Sequence, residues 1–245
     1  MKKANTYILF LAIAVLFSAC ELLVDVVTDD SVDTFVYPID YPLNSILLKK
    51  DMDMEIVESD DNKLIIEGAA AVIESFSFTS DSGNLTLFYD KYGSWMYDKP
   101  KVQLRIPKIC KIELYFDNAL YAADTLYTDN IDIYSDGTND INLKVNCKTL
   151  NIYGNYINNF YISGKTEKLA VTTTHGSVFY GAKLVADSVT CNSNGSNKQI
   201  VNPTKFLRCN VNYSGNIYYV NQPDELIINR HEKGSGQVIF DKTLY

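Results

Sequence analysis

From about Pro107 onward, apolar residues two apart return along the chain at a nearly constant interval. The pairs Ile112/Leu114, Ile131/Ile133, Leu150/Ile152, Leu169/Val171, Val189/Cys191, Leu207/Cys209 and Leu226/Ile228 follow one another at steps of 19, 19, 19, 20, 18 and 19 residues. A second series runs about ten residues behind: Ile141/Leu143, Phe160/Ile162, Val178 or Phe179, Ile200, Ile217/Tyr219 and Val238/Phe240. Alternation inside each pair is the period of a strand, and recurrence of the pair is the period of a solenoid. The pattern predicts an all-β chain with two short strands per turn, repeated about seven times. It places Cys191 and Cys209 in the inward slot of Leu114, Ile133, Ile152, Val171 and Ile228.

The first hundred residues are less regular. Strands are expected at Phe35–Tyr37, Ser45–Leu48, Met54–Val57, Lys63–Glu67, Val72–Phe78 and Leu85–Tyr89, separated by polar turns such as Ser59-Asp60-Asp61-Asn62. A solenoid must cover the open edge of its first coil. Residues 33–106 therefore read as a cap and first coils, and 107–241 as the regular coils of the same domain, 33–241. The segment Lys91–Pro100 carries four large apolar side chains and reads as a lid on the cap or an exposed contact loop. Nineteen-residue steps from Asn155 reach Asp136, Thr174, Ser193, Asn212 and His231, small or polar residues suited to tight corners. A leucine-rich repeat is excluded, because the period leaves no room for a helix.

The N-terminus supplies an address. Lys2 and Lys3 precede the apolar run Tyr7–Phe17, which is too short to span a bilayer comfortably. It ends in Phe17-Ser18-Ala19-Cys20, which resembles the lipobox of bacterial lipoproteins. That resemblance implies that residues 1–19 are a signal peptide and that Cys20 is the lipidated first residue of the mature chain. Residues 20–32 then form an acidic tether. The expected location is the cell envelope, at a lipid-anchored outer membrane, with periplasmic and surface orientation both open. Loss of Lys2 and Lys3 leaves 20 basic against 30 acidic residues, moving the formal charge from −8 to −10. Such a chain repels nucleic acid and other polyanions, so nucleic-acid partners are excluded.

Four further cysteines, Cys110, Cys147, Cys191 and Cys209, do not form a zinc pattern: Cys-x-x-Cys is missing and the only histidines are His175 and His231. Buried free thiols at Cys191 and Cys209 are favoured over a disulfide between them, although adjacent strands stand near the short end of the range a disulfide accepts. Catalytic candidates are weak. Asp136-Gly137-Thr138-Asn139-Asp140 has the composition of a corner and lacks the spacing of a calcium loop, and His175 has no acidic neighbour in sequence. No metal or other cofactor is expected.

Eighteen tyrosines are the better clue. Tyr115, Tyr134 and Tyr153 follow inward residues and so point outward at nineteen-residue steps. Tyr161, Tyr180 and Tyr218 form a second, interrupted column with Gln199 in the gap. One reading is structural: tyrosine suits strands and shields neighbouring backbone. The other is an aromatic strip that stacks on sugar faces or partner side chains.

The order of several motifs resembles the family described as "putative auto-transporter adhesin, head GIN domain". Asn84-Leu85-Thr86-Leu87, Val102-Gln103-Leu104-Arg105-Ile106-Pro107, Ser214-Gly215-Asn216-Ile217 and Gly234-Ser235-Gly236-Gln237-Val238 match it across about residues 33–241. Several coils replace the family's Ser-Gly corners with Asn, Asp or Thr. The resemblance implies a right-handed parallel β-helix without established enzyme activity. The expected function is adhesin-like binding of a glycan or protein along a β-helix face by a monomer tied to the membrane through its lipid. The alternatives are a polysaccharide-degrading lyase or hydrolase, or a structural envelope protein without a ligand.

Overall fold

A computed structural model describes residues 32–39, 42–90 and 98–245; Cys20, its signal and tether, and most of the Lys91–Pro100 loop lie outside them. Of the described residues 71% are strand, and they form a β-solenoid of about 7 parallel coils, each of about 19 residues.

The N-terminal part comprises β1 (Val32–Pro38), β2 (Ser45–Leu48), β3 (Asp53–Glu58), β4 (Lys63–Ala69), the short helix α1 (Ala70–Ile73), β5 (Phe76–Asp81), β6 (Asn84–Tyr89) and β7 (Lys101–Ile106). Strands β2 and β3 make a coil onto which the regular stack is laid, and β6 and β7 pair in parallel on its other side. Beyond them the pairing turns antiparallel, with β4 between β7 and β1, and β5 against β6. These hairpins finish the solenoid at this end. The strand expected over Val72–Phe78 is interrupted by α1. The run Ala69-Ala70-Ala71 favours helix, and one turn is enough to bury Val72 and Ile73.

The regular coils are built by β8 (Lys111–Phe116), β9 (Ala119–Gly137), β10 (Asp140–Tyr156), β11 (Asn159–His175), β12 (Val178–Gly195) and β13 (Lys198–Val211). They close with β14 (Asn216–Tyr219), β15 (Glu225–Arg230) and β16 (Val238–Phe240), followed by a 3-10 turn at Lys242–Leu244. Two short strands per turn were expected. Instead, β9 to β13 are ladders of 14 to 19 residues that keep pairing around the bends, which are made by bulges such as the one between Tyr161 and Gly164.

Three registers differ from simple counting. Ile112 pairs with Ile133, and Leu114 with Ser135, so the first step is 21 residues. The two additional residues sit among Ala122–Asp124 of β9, between the pairs Tyr121/Asn142 and Thr125/Lys144. An even shift preserves which side chains face inward, so Leu114 stays buried but is not the neighbour of Ile133. Second, Phe179 pairs with Gln199, a step of 20. Gln199 is therefore inside the core, and Ile200 occupies the outward gap assigned to Gln199. Third, Thr173 pairs with Ser193 and Thr174 with Asn194, which makes Ser193 an inward, buried residue and Asn194 the corner.

The core is a stack of apolar columns. Ile133, Ile152, Val171, Cys191 and Cys209 are all buried in one line. Cys191 and Cys209 are free thiols. Their contact, followed by burial, raises the Cys191 thiol well above its ordinary value. Ile228 continues this line but is 43% exposed, because β15 ends the stack.

One corner is filled by amides rather than by apolar side chains. Asn118, Asn139, Asn158, Ser177 and Asn197 are buried on successive coils. Asn118 Nδ2 donates to Asn139 Oδ1 at 2.9 Å, Asn139 Nδ2 to Asn158 Oδ1 at 3.1 Å, and Asn158 Nδ2 to Ser177 Oγ at 3.1 Å. A buried amide deprived of its partner costs about 1–3 kcal/mol per group. Asn158→Ala, which takes one hydrogen-bond partner from each of Ser135, Asn139 and Ser177, is expected to destabilise the fold by at least about 2 kcal/mol. Asn151→Ala, on an exposed column, should shift stability by less than about 0.5 kcal/mol. Urea unfolding of both variants checks the difference, and equal midpoints would count against a structural ladder.

Candidate ligand-binding faces

Each outward column is generated by one strand position repeated through the coils, so register decides which tyrosines meet. Tyr134 pairs with Tyr153. Their rings are stacked with centroids 5.2 Å apart and planes 4° apart. Tyr115 does not belong to that row: the two-residue insertion in β9 pairs it with Asp136 and sets Glu113 beside Tyr134. It still reaches Tyr134 diagonally, with centroids 5.8 Å apart and planes tilted by 45°. Past Tyr153 the row continues as Thr172, Asn192, Asn210 and Asn229.

The second column brings Tyr161 and Tyr180 together at 4.8 Å and 2°. Tyr218 is separated from them by Ile200, and Lys198 Nζ lies 5.1 Å from the centre of its ring. Ile200 is buried in the lining that it shares with Leu244 of the last turn. Sequence counting missed Tyr121. It lies in the same column, before Asn142, and the step of 21 at the β9 insertion hides it from a nineteen-residue search.

The rings are accessible: Tyr153 is 37% and Tyr161 45% exposed, and Tyr115, Tyr134, Tyr180 and Tyr218 are half-buried. Both columns border shallow open grooves. One, of about 260 Å³, runs beside Tyr134, Tyr153 and Thr172, with Lys111, Asp132 and Asn151 on its rim. The other, of about 390 Å³, is lined by Asn142, Tyr161, Ser163, Tyr180, Lys183 and Leu244, among others. Stacking turns most ring faces toward each other. Hydroxyls, ring edges and the outer faces of the stacks, that of Tyr153 toward Thr172 and that of Tyr161 toward Asn142, are what remain for a ligand.

A third aromatic row, not found from sequence, follows the corner after Asn155. Phe116, Tyr156 and His175 have φ values of 73°, 66° and 50°, and Gly137 fills the same corner on the coil between Phe116 and Tyr156. Left-handed backbone costs an L-residue roughly 1–2 kcal/mol, yet these side chains are exposed and the Tyr156 and His175 rings stack at 5.2 Å. A Cβ at Gly137 would stand 2.0 Å from the Phe116 carbonyl oxygen, so glycine is required there. The period of 21, 19 and 19 residues through 116, 137, 156 and 175 was the available signal.

Among the described residues, the groups capable of acid–base chemistry are dispersed. His175 Nδ1 lies 3.0 Å from Asn155 Oδ1 and faces no carboxylate partner, and Asp136 is engaged by Tyr134 Oη at 3.2 Å and Asn155 Nδ2 at 3.2 Å. Among the described residues, no cluster of three or more His, Cys, Asp or Glu side chains could hold a metal ion.

These features define a β-solenoid presenting aromatic and amide columns on open faces. The chain belongs to the family described as "Putative auto-transporter adhesin, head GIN domain", which matches residues 42–223. Among solved structures it is similar to a "putative adhesin" from Bacteroides fragilis, with 20% identity, a TM-score of 0.80, and 87% of this chain and 98% of that one covered. A second so described, from Parabacteroides merdae, has 14% identity and a TM-score of 0.67, covering 88% and 98%. A "putative lipid binding protein" from Parabacteroides distasonis has 14% identity and a TM-score of 0.69, again covering 88% and 98%. At these identities the likeness is one of fold. No curated protein matches the chain.

Burial, followed by the neighbouring Asp136 carboxylate, pushes the Tyr134 hydroxyl up to about 12 from an ordinary value of 10.0. The folded state therefore holds this proton more tightly than the unfolded chain does. The stabilisation is complete below pH 10 and is lost as pH rises from about 10 to about 12. A phenolate absorbance titration of wild type minus Tyr134→Phe is expected to show a midpoint near 12; a midpoint near 10 would show an unperturbed, freely solvated ring.

Proposed function

We propose that the protein is a lipid-anchored, non-enzymatic protein of the cell envelope that binds an extended ligand, a glycan or a protein, along the tyrosine-bearing faces of its coils. The observation that carries this reading is the pairing of each stacked tyrosine couple with its own open groove, Tyr134/Tyr153 on one side and Tyr161/Tyr180 on another. A stack alone is explained by coil packing. A stack that also leaves hydroxyls and a ring face along a solvent-open groove has the chemistry of an interface, where tyrosine supplies area and a polar tip together. Membership in an adhesin family supports a location at the envelope or surface. The lipobox-like Phe17-Ser18-Ala19-Cys20 supports an anchor at Cys20 and the outer membrane as its site.

Removing Tyr134 is expected to weaken ligand binding by at least about 1 kcal/mol while leaving the melting temperature nearly unchanged. Tyr153→Ala, which deletes the ring with a free face, should weaken it further. Isothermal titration with a ligand captured by the wild type decides this, and wild-type affinity in both variants would make the column purely structural. Cys20→Ala should abolish uptake of labelled palmitate and partitioning into detergent; unchanged labelling would remove the anchor from the proposal.

A further inference from the structure

Resting on the tyrosine-face reading, the geometry points to a narrower ligand class: we infer that the column running from Tyr153 through Thr172, Asn192, Asn210 and Asn229 binds an uncharged polysaccharide chain laid across successive coils. The first support is the hydrogen-bond arithmetic of the amides. Asn192 Nδ2 donates to Thr172 Oγ1 at 3.0 Å, Asn210 Nδ2 to Asn192 Oδ1 at 2.7 Å, and Asn229 Nδ2 to Asn210 Oδ1 at 2.8 Å. Beside this row Asn212 Nδ2 donates to Asn194 Oδ1 at 2.6 Å. A primary amide has two N–H donors and an oxygen with two lone pairs. The ladder consumes one N–H of each donor and one lone pair of each acceptor. It leaves a second donor and a second acceptor on groups that are half-exposed, or at Asn229 exposed, and that the ladder already holds in one orientation.

Such groups bind with little further loss of side-chain entropy. They recur at the strand spacing of about 4.8 Å between coils, so each coil offers one donor–acceptor pair in line with the next. Sugar hydroxyls, which both donate and accept, are the complementary partners for groups of this kind. A chain of linked pyranose rings presents such hydroxyls repeatedly along its length, and the free face of Tyr153 offers an apolar platform at one end of the row for the C–H face of a ring.

The second support is charge. In a chain with 30 acidic and 22 basic residues, the outward positions Thr172, Thr174, Asn192, Asn194, Asn210 and Asn212 carry none. Arg208 borders the strip, with its guanidinium 5.4 Å from the centre of the Phe206 ring. A neutral strip gives no Coulombic attraction to a polyanion or polycation and imposes no desolvated charge on an uncharged ligand.

The test uses the full chain purified in detergent micelles. Its probes are immobilised uncharged polysaccharides (cellulose, mannan and galactomannan), with alginate as the acidic control and chitosan as the basic one. The expected result is binding to at least one uncharged polysaccharide, with a Kd that changes less than twofold over a tenfold range of salt. Asn192→Ala/Asn210→Ala should weaken it at least tenfold, and Asn159→Ala, on another column, should not. Because the double variant could disturb the stack, Asn229→Ala on the last coil serves as a second probe, with an expected loss of about threefold and an unchanged melt. Binding only to alginate or chitosan, or wild-type affinity in both asparagine variants, overturns the inference. Capture of a protein ligand that is sensitive to Tyr134→Ala, with no polysaccharide bound, overturns it while leaving the tyrosine-face reading intact.

Discussion

Parallel pairing of each coil with the next is the constraint from which the rest of this molecule follows. Once a coil is hydrogen-bonded along 14 to 19 residues to its neighbour, every side chain is placed above its equivalent one turn earlier at about 4.8 Å. Inward positions must then be residues that tolerate packing on copies of themselves, which aliphatic side chains and the buried Asn118-Asn139-Asn158 ladder do by different means. The aliphatic stack supplies non-directional burial, roughly 25 cal/mol per Å² of apolar area. The amide ladder supplies direction. It fills only one coil register, because a slip of one residue would leave several buried amides without partners.

This explains what could be read from the residues alone. From Ile131/Ile133 onward the leading apolar pairs do lie on one another, through Leu150, Leu169, Val189, Leu207 and Leu226, and counting there gives the true register. Counting fails wherever a bulge stores extra residues. The insertion at Ala122–Asp124 moves Tyr115 out of the Tyr134 row and conceals Tyr121, and the 20-residue step to Gln199 exchanges it with Ile200. Gln199 also shows a limit of pattern reading. It occupies an inward slot between Phe179 and Ile217, where hydrophobicity alone favours Ile200. Its Nε2 is held by Thr173 Oγ1 at 2.7 Å and the Asn192 carbonyl at 2.9 Å. Partners contributed by other coils cannot be seen in a local window.

The candidate faces were legible in their parts and not in their arrangement. Outward tyrosines follow directly from alternation, and five of the six selected residues do lie beside another tyrosine or along its groove. What alternation does not give is ring orientation. Tyrosines stacked at nineteen-residue spacing satisfy one another, and this reduces the face area left for a ligand. The exposed corner row of Phe116, Tyr156 and His175 was missed for a different reason: its period is in the sequence, but left-handed backbone at large residues contradicts local propensity and is found only in the folded chain.

Stacking also restricts where charge can go. Like charges set directly above one another are destabilising, and the coils avoid this in two ways. In the rows that contain Asp132, Asp136 and Asp140, an asparagine follows on the next coil and donates to the carboxylate, at 2.7, 3.2 and 2.8 Å. Elsewhere opposite charges follow each other, Lys148 with Asp129 at 2.8 Å and Lys205 with Asp187 at 2.9 Å. The fold therefore accommodates charged rows when the signs alternate, and neutrality along Thr172, Asn192, Asn210 and Asn229 is not forced by coil stacking. The stack would accept ion pairs along this row and carries hydrogen-bonded amides instead, so the uncharged ligand proposed for that face fits the residues there without being required by the stability of the coils.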